Sequence, residues 1–494
     1  MRAVQYHSTA ARAFAVSTQT PFQPPFETAA EPHRWGTHLF TASAATLAVV
    51  EGYYALTAIV RSPTHLYLGM TIIFFAFLPL LLWAKRGKAS LPVFETLLLT
   101  GANTYALPLL NGHSDLVRYS DDVINEAALG VIVFQLFAIA TYQLVVGHTT
   151  RSRFWHEDIL SENMTRWLGH GIGLNTAYIF LSTFTTLIPA SMESVLRAVF
   201  FGLGIICMFV TSRRLGQGEL SPGERAFFFT NLVLQCVCML PTLYLVSTIS
   251  LLLLTLVGYV SASGRVPLIT AAACLILLAV LHNGKAPMRV KYWESDNPTP
   301  SIPQLPTFYA DWISHGLASD DGENGQKKMT SKLIDRTSLF HMMCLVVSNT
   351  PAYQPYLNGE TYRDIPAQFV PRLFWPGKPL GHVSNSRLSV YYGLQTEEDT
   401  VKTTIGFGML CEACANFGFF GLAGLGILIG FALKKIQSWA DGGPFFSYGG
   451  LLLIILMAWS FQVEFTLSIW LASLYQAAIA VLGIPFAIRN FIGQ

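Results

Sequence analysis

The stretch AFFFTNLVLQCVCMLPTLYLVSTISLLLLTLVGYVSAS, Ala226 to Ser263, has no charged side chain and is interrupted only by Leu240-Pro241-Thr242. A helix rises about 1.5 Å per residue, so roughly 20 residues cross the hydrocarbon core of a bilayer and a single helix over 226–263 would be far too long. The sequence therefore predicts two crossings joined at 240–242 rather than one tilted helix. That choice decides the fold, because one crossing fewer would move every later loop to the opposite side of the membrane.

The same length rule, applied outward from this hairpin, predicts spans near residues 38–60, 65–84, 91–110, 124–147, 172–190, 192–210, 226–243, 245–263, 266–283, 417–433, 446–462 and 466–487. The helix is the open structure that satisfies its own backbone in lipid. The expected fold is therefore all-α, a polytopic membrane protein with about twelve transmembrane helices. Composition agrees: 52% of residues are hydrophobic and only 12% charged, against roughly 25% charged in soluble domains. A formal net charge of +2 leaves no basic excess of the kind nucleic-acid binders carry.

Orientation follows from the cations of the short loops. Lys85 to Lys88, Arg151, Arg153, Arg166, Arg213, Arg214, Arg265, Lys434 and Lys435 fall on one side of a twelve-span chain, which is taken as the cytoplasm. Residues 1–37 lack an apolar signal core and are expected to form a cytoplasmic tail. Nine spans fill 38–283, a long external segment fills 284–402, three spans fill 403–488, and 489–494 return to the cytoplasm.

The external segment breaks the rule that oriented the chain. It carries Lys285, Arg289, Lys291, Arg336, Arg363, Arg372, Lys378 and Arg387 where positive charge is normally depleted. A polyanion at the membrane face, such as a lipid pyrophosphate, is the natural partner, and the planar donors of arginine suit phosphate oxygens. Within it, IPAQFVPRLFWPGKPLG (Ile365 to Gly381) has four prolines, which are expected to exclude helix and hold Arg372 and Lys378 in place. Phe374 and Trp375 suit a headgroup boundary, and His382 follows directly. The same stretch also reads as a rigid interfacial turn anchored by aromatics.

Beyond the segment, Glu412 is a single carboxylate among small and apolar residues (CEACANFGFFG, from Cys411). An acid in lipid is costly, so a role as general base or sugar ligand stands beside a role in helix packing or in pairing with a loop arginine. Glu51, Glu95, Glu126 and Glu464 are read as structural or cavity-facing groups rather than catalytic ones. Cys411 and Cys414 have CxxC spacing but stand in an apolar stretch, so the 7 cysteines imply neither a disulfide framework nor a metal pair, and the 12 histidines show no zinc spacing. No metal or other cofactor is expected.

Four stretches, NGKAPMR (283–289), TPAYQPYLNGETY (350–362), VPRLFWPGKP (370–379) and CEACANFGFFG (411–421), resemble the bacterial O-antigen polymerases of the Wzy type, which are related to the O-antigen ligases. The likeness covers about the second half of the chain. Where the family pattern reads Gly-Glu-x-Tyr-x-Asn-Phe-Gly, this chain has Cys411-Glu412-Ala413-Cys414-Ala415-Asn416-Phe417-Gly418, with no tyrosine hydroxyl at 414.

The resemblance implies a metal-independent glycosyltransferase of the bacterial inner membrane, with an undecaprenyl-pyrophosphate-linked glycan as donor and a lipid-linked repeat unit as acceptor. It implies flippase and chain-length regulator proteins as partners. Glu412, Arg372 and Lys378 would be catalytic. Lys285, Arg289, Arg336, Tyr362, Arg363, Trp375, His382 and Asn416 would bind pyrophosphate and glycan. Three other readings stay open: a ligase of the same fold, a lipid-linked sugar flippase, and a cysteine transpeptidase using Cys411 or Cys414.

Overall fold

A computed structural model describes residues 32–86, 91–145, 154–157, 162–188, 190–293, 299–318, 338–370, 375, 377–402, 404–441, 443, 447–483 and 486. Helices α1 (Pro32–Thr57) and α2 (Pro63–Arg86) form a hairpin, and α3 (Val93–Gly101) runs through a wider turn at Ala102–Ala106 into α4 (Leu107–Leu110). Then come α5 (Asp121–Leu144), α6 (Glu162–Phe184), α7 (Ala190–Gln217), α8 (Pro222–Met239), α9 (Leu245–Ser263) and α10 (Leu268–Trp293). The segment that follows holds α11 (Leu305–Leu317), α12 (Phe340–Asn349), the single turn α13 (Ile365–Gln368), α14 (Val383–Tyr391) and α15 (Glu397–Lys402). Three helices close the chain: α16 (Gly408–Ala440), α17 (Tyr448–Ser460) and α18 (Leu467–Ala478).

Among the described residues there is no strand, and 8 helices are long and apolar enough to cross a membrane, lying in α1, α2, α5, α7, α8, α9, α10 and α16. The chain is a multi-pass, all-helical membrane protein. The remaining expected spans are shaped otherwise. Residues 91–110 change pitch at Ala102–Ala106, α6 is not among the 8, and α17 and α18 have 13 and 12 residues.

The hairpin at 226–263 forms as its sequence dictates. Ser221 and Glu224 close a capping box on α8, with Pro222 in the first turn where its missing N–H costs nothing. Leu240–Thr242 make one tight turn, Leu243 takes a left-handed φ of 58°, and α9 ends on left-handed Gly264. Arg289 of α10 donates from Nη2 to the Leu243 carbonyl at 3.1 Å and lies over the Tyr244 ring. A small core of Leu240, Leu243, Leu281, Met288, Phe308 and Trp312 joins the hairpin tip to α10 and α11.

The centre of the molecule is α16 laid along α5. Gly426 and Gly430 permit the approach: a Cβ at either would come within 2.6 Å of the Phe134 carbonyl or 2.4 Å of the Ala138 carbonyl. Small residues four apart are a common way for membrane helices to pack closely. α12, with Phe340, Met343, Cys344 and Val346 fully buried, packs on both.

Backbone bonds sort the connections into two ends. Ile59 N–H reaches the Leu110 carbonyl (2.8 Å), Leu339 N–H the Thr104 carbonyl (3.1 Å), and His113 stacks on His341 at 4.8 Å. The turns 58–62 and 111–120 thus share one end with the start of α12. At the opposite end Gly449 N–H reaches the Trp155 carbonyl, Trp155 stacks on Trp439, and Lys434 lies over Tyr142.

Three expectations need correction. The span expected to end at 283 continues as helix to Trp293, so Lys285, Arg289 and Lys291 stand on α10 and not in a loop. The span expected from 417 begins at Gly408, because residues 417–418 are a kink inside a longer helix. The proline-rich stretch does contain helix, one turn at Ile365–Gln368, with Pro366 at the first positions where proline is tolerated.

Candidate functional site

Glu412 lies near the start of α16 and is 0% exposed. Its Oε2 accepts the backbone N–H of Leu467 at 2.7 Å. Leu467 opens α18, whose first N–H groups have no partner within the helix, so the carboxylate caps the positive end of a helix dipole. Oε1 accepts no close hydrogen bond. The Thr361 hydroxyl acts on the same carboxyl from the segment between α10 and α16. The Tyr362 phenol beside it is pushed well above its usual range, first by burial and then by the Glu412 charge.

One turn on, Asn416 fixes this geometry. Its Nδ2 donates to the Glu412 carbonyl (2.7 Å) and to Thr361 Oγ1 (2.8 Å), while Oδ1 accepts the Gly359 N–H at 2.8 Å. The backbone then departs from helix at Phe417 and Gly418, with φ of 58° at Gly418. The kink exposes carbonyls that α16 would otherwise use, and the segment between α10 and α16 takes them: Leu357 N–H bonds Ala415 O, and Asn358 N–H bonds Asn416 O. Gly359, at φ 90°, lets the turn approach the Phe417 ring, which faces Tyr362. Residues 357–362 are thus stitched onto the kink directly above the buried acid.

The remaining expected site residues are dispersed. Lys378 is buried, with Nζ donating to the carbonyls of Val370 (2.8 Å) and Gln368 (3.3 Å), so it holds the proline-rich turn to α13. Arg289 braces the α8–α9 hairpin, as above. Lys285 and Arg289 share their field with Glu464, an exposed acid on the turn between α17 and α18. Arg363 is exposed, Trp375 is 45% exposed, and His382 directly precedes α14. Arg336 and Arg372, with Phe374, lie outside the described residues. Cys411 and Cys414 are buried, and no described His or acid makes a hydrogen bond to either, which gives a thiol nucleophile no base. Among the described residues no group of 3 His, Cys, Asp or Glu is arranged to hold a metal ion.

Sequence reasoning brought together Glu412, Asn416 and Tyr362 and missed three contributors. Thr361 sat within a quoted motif with no signal to single it out. Gly359 follows Asn358, an Asn-Gly pair that marks a tight turn. The Leu467 donor is backbone, to which any residue type contributes equally.

A family profile described as a domain of unknown function (DUF8712) matches residues 229–392, from within α8 to the end of α14, about a third of the chain. No curated protein and no solved structure matches the chain.

Proposed function

We propose that this chain is a membrane glycosyltransferase that polymerises lipid-linked oligosaccharide repeat units, crossing a bacterial inner membrane twelve times with residues 284–402 outside. The acceptor hydroxyl attacks the anomeric carbon of the donor glycan as the bond to the lipid pyrophosphate breaks. The hydroxyl proton passes to Glu412 Oε1, and the pyrophosphate leaves on its lipid. Arg372, Arg336, Arg363, Lys285 and Arg289 supply the cations for that leaving group. Lys378 acts by bracing Gln368 and Val370, which precede Arg372 in sequence.

One observation carries this reading: a fully buried carboxylate is anchored through one oxygen to a helix N-terminus while its other oxygen lacks a close partner. Glu95 is also buried with one oxygen unpartnered, and what sets Glu412 apart is that the 357–362 turn reaches it through Thr361. Tyr362 and Thr361 bring the external segment, where a polar glycan resides, to the same point.

The test is repeat-unit transfer by purified protein, normalised to folded protein. Glu412→Gln retains an oxygen to accept the Leu467 N–H, so folding is expected to persist while transfer falls at least a hundredfold, in the range of a lost general base. Glu412→Asp is expected to keep partial activity. Undiminished transfer per folded Gln variant would exclude the catalytic role.

A further inference from the structure

At the end of the molecule that carries the turns 58–62 and 111–120, histidines are withdrawn from solvent. His113 is 3% exposed, and His341, in the first turn of α12, is partly buried. Their rings stack with centroids 4.8 Å apart and planes 12° from parallel. His113 Nδ1 accepts the Asp115 N–H at 3.1 Å and so caps the short turn Ser114–Arg118, which leaves the ring proton on Nε2. His341 Nδ1 lies 3.1 Å from Ser338 Oγ. Each ring is thus held within its own segment, and the stack joins the two segments beside the bond from Leu339 N–H to the Thr104 carbonyl.

The charges around this stack do little to welcome a proton on His341. Asp115 favours one, but Arg118 opposes it and lies 3.1 Å from the same carboxylate. Arg61, from the turn between α1 and α2, brings a second positive charge by donating to the carbonyls of Leu116 and Tyr119. Asp121 of α5 is shared between Arg61 at 3.8 Å and His65 Nε2 of α2 at 3.9 Å. On α12 itself the nearest titratable neighbour one turn along is the buried thiol of Cys344. Burial, and next the His113 ring, push the His341 imidazole down to about 4 from the usual 6.5. A group held below its unfolded value contributes docking free energy that is fully present above about 6.5 and is lost as pH falls toward 4, by at most about tenfold in the docked-to-released ratio per pH unit.

We propose that the His113–His341 stack is an acid-labile latch, which holds the start of α12 against the 111–120 turn while His341 is neutral and releases it when His341 takes a proton. α12 leads directly into residues 350–362, which dock over Glu412, so the latch sets a pH-sensitive joint at the entrance to that site. On the orientation proposed above this end faces outside, where no cytoplasmic buffer sets the pH. The latch is independent of the transferase reading, because it rests on the stack and its neighbours alone.

Cys344 reports on the latch, since it is fully buried on α12 one turn beyond His341. The full-length protein in detergent is reacted with dithiodipyridine at pH 7.5 and at pH 5.0. Mass spectrometry of its peptides reads the rate at Cys344 and at Cys411, each relative to the unfolded chain at the same pH. In wild type, protection of Cys344 is expected to fall at least about fivefold at the lower pH, within the limit set by linkage, while Cys411 stays protected. His341→Phe keeps an aromatic ring for the stack and binds no proton, so its protection is expected to change by less than about twofold. His341→Gln keeps a polar partner for Ser338 and also binds no proton, and it decides the matter by the same criterion if His341→Phe fails to fold. Equal acid loss of protection in wild type and the His341 variants overturns the latch, as does a wild type equally protected at both pH values or a loss at Cys411 in step with Cys344. Each of these outcomes leaves the Glu412 reading as it stands.

Discussion

Asn416 has its side-chain amide committed on three sides, which changes the role its type suggested. A carboxamide that already donates to the Glu412 carbonyl and Thr361 and accepts from Gly359 has little capacity left for a glycan hydroxyl. It is a positioning residue: it sets the rotation of α16 that points Glu412 at α18, and it ties the 357–362 turn to the same helix. Asn416→Ala removes all three bonds and leaves the Gly359 N–H and Thr361 hydroxyl to find other partners. Buried hydrogen bonds contribute about 1 kcal/mol each, more when a partner is stranded. The expected loss is about 2–4 kcal/mol of stability, read as a lower midpoint of thermal unfolding in detergent. Asn416→Asp restores only the bond from Gly359 and sets a second acid beside Glu412, so it is expected to recover little. A wild-type midpoint for Asn416→Ala would show that the clamp carries no load.

At the scale of elements, the kink in α16 sets where the segment between α10 and α16 docks. Gly418 holds φ at 58°, and a Cβ there would meet the Tyr356 hydroxyl at 2.7 Å, so Gly418→Ala is opposed by both backbone and neighbour. Gly424, six residues on in the same helix, has nothing within 4 Å of an added Cβ. Gly424→Ala is expected to be neutral or slightly stabilising, and Gly418→Ala to cost about 1–3 kcal/mol and to speed proteolysis of residues 350–402. Equal proteolysis of the two variants would break the link between kink and docking. The glycine and asparagine of this kink were readable from the Asn-Phe-Gly motif. The α8–α9 hairpin was readable from length and proline alone. The helical course of α10 to Trp293 was not, because Pro287, Arg289 and Lys291 look like loop chemistry, and only contact with α11 gives that polar stretch a surface to pack on.

For the whole molecule, sidedness rests on the parity of crossings, and parity turns on the stretch Ala226 to Ser263. Positions on either side of it test the count directly. Gly223 is exposed at the start of α8 with nothing within 4 Å of a Cβ, and Arg265 is exposed just beyond α9. Two crossings put Gly223→Cys and Arg265→Cys on the same side; one crossing would separate them. Val117, 77% exposed, sits in the turn whose His113 stacks on His341, and Asn358 is exposed above the Glu412 site. These two belong to the same end of the bundle. The seven native cysteines are free thiols, five of them buried and two half-buried, so background reaction with a membrane-impermeant maleimide is small. In cells with a permeabilised outer membrane, Val117→Cys and Asn358→Cys are expected to label, and Gly223→Cys and Arg265→Cys to label only after lysis. Charge sets the expected sign: Arg213, Arg214 and Arg265 gather at the shared end of α7, α8 and α9, and positive residues favour the cytoplasmic side during insertion. Protection of Asn358→Cys until lysis, together with Arg265→Cys, would mean that α10 does not cross. The external surplus of cations would then be an ordinary cytoplasmic loop, and the pyrophosphate argument would lose its ground.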